Sequence, residues 1–180
     1  EQSRPAGPRL ENSMLKTVRN GICQTVLPSW ITRVPRLLGS DGQGSLKAAE
    51  WQLLYTLYYP LALIPMWYNP CQPQDETAQA ETSLNRLKES TMGLICMTRI
   101  LTQKTLHPSE IKRFEKEMLL YQQNLKETWP KHHGKQYLHV VQHFPEIMAR
   151  FGPPWATSAW AQERMNGILA KCPRNQKLSK

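Results

Sequence analysis

The sequence predicts an all-α domain, and three observations carry that reading. Apolar residues recur at three- and four-residue steps in one segment after another, which puts them on one face of a helix. No segment of four or more residues alternates cleanly between apolar and polar, so essentially no sheet is expected. Prolines and capping residues punctuate the chain at helix-sized intervals. Together they predict an irregular bundle of five to seven helices around a buried, proline-kinked central helix at about residues 46–67.

The elements follow in order. Residues 1–9 hold Pro, Gly and Arg and read as a flexible linker. Residues 10–171 read as the helical domain, and 172–180 as a basic flexible tail. Met14, Val18, Ile22 and Val26 recur every four residues, so Leu10 to Val26 predicts a helix that Pro28 ends. The loop through Gly44 carries Trp30, Ile31, Val34, Leu37 and Leu38, which are expected to pack onto the body. Ser45 is the expected cap of the central helix, which is apolar nearly all round and holds Pro60 and Pro65.

Asp75 or Thr77 is expected to start a long helix to about Gln103. Its apolar stripe includes Leu84, Leu87, Leu94, Ile95 and Leu101, with Gly93 inside it. His107-Pro108-Ser109-Glu110 is a restart signal, with Pro at the first helical position and an acid in the first turn. That helix should stop at Trp129-Pro130. Tyr137 to Phe151 is helical again and broken by Pro145. Gly152-Pro153-Pro154 then breaks the chain, and Thr157 or Ser158 can cap a last helix. On it Ala159, Glu163, Asn166 and Ala170 share a face, with Trp155 and Trp160 expected to anchor the turn against a core.

A length of 180 residues suits one domain, and the formal net charge is +9. That charge favours an anionic partner, nucleic acid first and an acidic membrane surface second; an ordinary basic protein is the plain alternative. No apolar run reaches about 18 residues, so no membrane span is expected. Cys23, Cys71, Cys96 and Cys172 lie far apart, with no Cys-x-x-Cys pair. They read as reduced thiols in an intracellular compartment.

Little in the residues points to self-contained catalysis. There is no P-loop and no Gly-rich dinucleotide turn. His139 and His143 have zinc-ligand spacing, but Val140 stands where a zinc protease needs Glu. The alternative is two imidazoles at the rim of the core. Glu50 reads as a helix cap or as half of an ion pair with Lys47 or Arg33. Lys131, His132 and Lys135 form a basic loop that suits phosphate or simply water. Glu163 sits early on the last helix, but one carboxylate holds a divalent ion poorly without partners.

Three blocks also resemble a known family. They are Leu46-Lys47-Ala48-Ala49-Glu50-Trp51, the His139-x-x-x-His143 helix, and the run from Gly152-Pro153-Pro154-Trp155 through Glu163, Asn166 and Lys171. Their order and spacing resemble the carboxy-terminal part of CACTA-class (En/Spm-like) transposases over roughly Met14 to Lys171. The resemblance implies an RNase H-like core whose two Asp and final Glu hold two divalent ions, Mg2+ or Mn2+, for DNA cleavage and strand transfer. It places Glu163 at the final acid, as catalytic residue and metal ligand, and most of the chain in a helical insertion. Lys131, His132, Lys135, Arg164, Lys171 and Arg174 become candidate DNA-backbone contacts. Lys47, Glu50, Trp51, His139, His143, Trp155 and Asn166 belong to its motifs without an assigned role. The implied partners are DNA at the transposon ends and the upstream RNase H-like part, in the nucleus, with a homo-oligomer compatible with both. Asp41 and Asp75 are the only Asp residues and both read as turns, so no activity is expected of this chain alone. The alternative is a domesticated, non-catalytic helical module that binds DNA or protein.

Overall fold

Helix α1, Asn12–Gln24, buries Met14, Val18 and Ile22 at the expected spacing in the computed structural model. The model describes residues 7–31, 33–40, 42, 44–68, 78–132, 135–157 and 159–170. α1 ends two residues earlier than expected. Thr25 folds both its N–H and its hydroxyl onto the Gly21 carbonyl, and the backbone then turns extended. Val26 is therefore outside the helix and 91% exposed. Extension suits the approach to Pro28, since the residue before a proline avoids helical geometry. Gly21 has open space where a Cβ would stand. Gly21→Ala is thus expected to raise stability by about 0.5–1 kcal/mol, read as a higher urea midpoint.

The following loop packs only in part. Val34 and Leu38 are buried, whereas Trp30 and Leu37 lie in solvent. Arg19 fixes the loop by donating from Nε and Nη2 to the Leu38 carbonyl, at 2.9 and 2.7 Å.

The central rod is continuous but not uniform. It comprises α2 (Ala48–Leu53), a π turn (Leu54–Tyr58) and α3 (Tyr59–Trp67). Its start is set by Glu50 rather than Ser45: the Glu50 carboxylate takes the Lys47 N–H at 2.8 Å, and Lys47 becomes the N-cap. The π turn lies immediately before Pro60, which has no N–H to give and whose ring would press on the carbonyl of Thr56. Widening the helix by one residue relieves that conflict. The rod is less buried than its composition suggests. Leu54, Tyr58, Tyr59, Ala62 and Leu63 face inward, but Trp51 and Leu61 are exposed.

α4 (Ala78–Leu101) and α5 (Pro108–Thr128) pair as an antiparallel hairpin, the most extensive contact between elements. The caps expected at Asp75 or Thr77 lie outside the described residues. α5 starts at Pro108 as expected, with His107 as its N-cap, and Glu110 accepts the His107 N–H at 2.8 Å. That bond holds the Glu110 carboxyl below its ordinary range. Gly93 marks the close approach of the two helices: a Cβ there would stand 3.6 Å from a Glu117 carboxylate oxygen. α6 (Gln136–Gln142) and α7 (Phe144–Phe151) are separated where Pro145 predicted a break. A single turn, α8 (Pro154–Thr157), leads to α9 (Trp160–Leu169).

Counting the rod as one helix and setting the single turn aside gives seven helices among the described residues, with no strand. The core has two parts. One joins α1, the loop residues Val34 and Leu38, the rod and Ile95 of α4. The other joins Met97 and Ile100 of α4, Phe114 and Met118 of α5, and Met148 of α7. α4 is the wall common to both. The described end of the amino-terminal segment, residues 7–9, lies against Trp129. The Trp129 indole N–H donates to the Pro8 carbonyl at 3.2 Å, and a Cβ on Gly7 would collide with that indole. Residues 1–6 and the tail 172–180 lie outside the described residues. No helix among those described is long and apolar enough to cross a membrane.

Candidate functional site

The last helix was expected to be clamped by two tryptophans, and its described residues do not bear that out. Trp155 is 54% exposed, and the Trp160 side chain lies outside the described residues. Ser158 lies outside them too, and the N-cap of α9 is Ala159, which offers no side-chain cap. Every described side chain of α9 is exposed, and no other element packs extensively against the helix among the described residues. Glu163 occupies its first turn and points into solvent, with Asn166 on the same face. On the opposite face Met165, Ile168 and Leu169 are also exposed. The helix is thus amphipathic, yet its apolar stripe is not in the core.

The Lys47–Trp51 block is a helix-starting device. Glu50 is buried and its carboxylate is committed to the Lys47 backbone, so capping is its role. Trp51 stacks on Tyr55 with ring centroids 6.1 Å apart, and Tyr55 meets Tyr59 edge-on at 5.0 Å. Burial pushes the Tyr59 hydroxyl up to about 12 and raises Tyr55 as well. Both phenols stay protonated at neutral pH.

His139 and His143 stand edge to face, their centroids 5.0 Å apart. Both are exposed, which corrects the alternative of imidazoles at the rim of the core. α6 is tied to α5 by Gln122, which donates to the Leu138 carbonyl at 3.1 Å and accepts from Gln142 at 2.9 Å. Lys131 and Lys135 are exposed at the α5–α6 junction. The side chains of His132 and Arg164, and all of Lys171 and Arg174, lie outside the described residues.

Among the described residues no three His, Cys, Asp or Glu side chains gather closely enough to hold a metal ion. Glu163 supplies one carboxylate where a divalent ion takes about six oxygens. The described residues do not by themselves fit a metal centre. A thiol nucleophile is not supported either. Cys23 and Cys96 are unpaired. Burial raises the Cys96 thiol against the opposing pull of Arg113, which keeps it protonated and inert. Cys71 and Cys172 lie outside the described residues.

Two contacts escaped sequence reading. The Lys104 ammonium lies over the Trp155 ring at 5.6 Å, and the Arg150 guanidinium over Phe151 at 5.2 Å. The second pair are neighbours in the chain and could have been noticed. The first joins the α4–α5 loop to α8 and has no local signal. A groove of about 630 Å3 also opens between α3 and the α4–α5 hairpin, with Arg99 and Arg113 balanced by Glu110 and Glu117. No known protein family, curated protein or solved structure matches the chain.

Proposed function

We propose that the chain is the helical insertion and catalytic-Glu segment of a CACTA-like transposase, inactive alone. The observation that carries this reading is the ordered set of blocks ending in Gly152-Pro153-Pro154-Trp155, Glu163 and Asn166. Two physical features support it. Glu163 is exposed, so a carboxylate is free to meet acids supplied by another part of the protein. Helix α9 has only ten residues, and isolated helices shorter than about 12–15 residues are marginal in water. Its exposed Met165, Ile168 and Leu169 stripe is what a docked RNase H-like part would cover. In the complete protein, Glu163 then contributes one ligand to Mg2+ or Mn2+. Lys131, His132, Lys135, Arg164, Lys171 and Arg174 hold the DNA backbone, and the protein works in the nucleus.

The coding sequence upstream of Glu1 tests the reading. Joined to a segment carrying two Asp, the chain is expected to nick transposon ends in the presence of Mg2+ or Mn2+. If the gene supplies no such segment, the second reading takes over: a domesticated module that binds without cutting. Its support is that Asp41 and Asp75 are the only Asp in the chain.

The DNA contacts have their own test. Each phosphate contact contributes about 0.9 to the slope of log affinity against log salt on duplex DNA. Changing Lys131 and Lys135 together to Ala should make that slope shallower by about 1.8 and weaken binding equally across DNA sequences. An unchanged slope removes both lysines from the interface.

A further inference from the structure

Phe151 and Trp155 stand on either side of the Gly152-Pro153-Pro154 knuckle, and their side chains are 59% and 54% exposed. Gly152 adopts a positive φ of 81°, a conformation that favours glycine, and two prolines follow it. Gly152 and the two prolines fix the backbone turn from which the two rings project. Each ring has a cation on one face, Arg150 on Phe151 and Lys104 on Trp155. The only acid of α7, Glu146, forms no ion pair with Arg150. The knuckle thus presents two aromatic surfaces with two positive charges beside them.

We propose that this knuckle is a stacking platform for the unpaired bases of single-stranded DNA. Phe151 and Trp155 receive the bases, and Lys104 and Arg150 meet the flanking phosphates. A base offers its flat face only when it is out of the duplex, so intact duplex has nothing to stack on these rings. A purely apolar protein partner fits less well. It would remove Lys104 and Arg150 from water without pairing them, which is costly. A polyanion pairs both cations, and the net charge of +9 attracts it. The inference deepens the DNA-binding part of the proposed function and rests on it. It gives Trp155, a motif residue without a role until now, a direct contact with DNA.

The test compares labelled oligo(dT) with a blunt duplex of equal length, both by fluorescence anisotropy on the purified full chain at fixed salt. Oligo(dT) should bind more tightly than the duplex. Trp155→Ala should weaken oligo(dT) binding roughly five- to a hundredfold, the loss of one stacked base, and leave duplex binding unchanged. Trp155→Phe keeps a ring and should retain most of the affinity, which separates stacking from a folding defect. Unchanged oligo(dT) binding by Trp155→Ala, or an equal loss on both DNAs that Trp155→Phe does not rescue, overturns the platform and leaves the DNA-binding reading standing. If the unmodified chain binds neither DNA, both fall.

Discussion

Phe114→Ala is expected to cost about 3–5 kcal/mol of unfolding free energy, the range for deleting a buried aromatic ring. Phe114 has no exposed surface and sits among Met97, Ile100, Met118 and Met148. Its ring stacks on Phe144, with centroids 6.3 Å apart and planes 19° from parallel. It is therefore the side chain through which α7 is held on the α4–α5 hairpin. The charges at the far end of the hairpin cannot make up the loss. The Arg86–Glu127 ion pair is more than a third exposed on each side, and such pairs contribute about 0–1 kcal/mol. Small domains have only about 5–15 kcal/mol in total, so this one change removes a large part of it. The loss should also be uneven. Hydrogen exchange should quicken in α7 and α6 before α1, because α1 belongs to the other half of the core. A loss below about 1 kcal/mol in urea melts would contradict this account of how the second half of the core is held.

Periodicity made the helices legible because it reports directly on burial. Met14, Val18 and Ile22 could be read from four-residue spacing, and all three are buried. The start of α5 was equally plain, since His107-Pro108-Ser109-Glu110 determines its own geometry without help from the rest of the fold. The start of the rod was misassigned because two residues could compete for it. Ser45 has the better capping side chain, but Glu50 reaches back to Lys47 and is buried there. Composition also overstated burial. Trp30, Leu61 and Trp155 are apolar and stand mostly in solvent, because hydrophobicity says that a residue can be buried and not what lies opposite it. The split of the core about α4 depends on contacts distant in sequence, and no window of neighbouring residues contains it.

The candidate site was legible only residue by residue. Glu163 and Asn166 share a face by simple arithmetic, and α9 forms where the Gly-Pro-Pro breaker implied a fresh start. That Met165, Ile168 and Leu169 would be exposed was not readable, because an amphipathic stripe looks the same whether it packs within the chain or against another part. The Lys104–Trp155 contact was invisible for the related reason that it joins segments far apart in the chain.

The central claim is that Glu163 serves catalysis and not folding. The most direct measurement is the nicking rate of transposon ends by the complete protein in Mg2+ or Mn2+, for the wild type and for Glu163→Gln. The substitution keeps the shape of the side chain and removes its charge. Because the residue is exposed on a surface helix, stability should change by no more than about 0.5 kcal/mol. Loss of even an outer-shell partner of a metal ligand costs about 10–100-fold, so removing the ligand's charge should cost more than about 100-fold in rate. The account predicts that loss with DNA binding intact. Nicking by Glu163→Gln at the wild-type rate would contradict it.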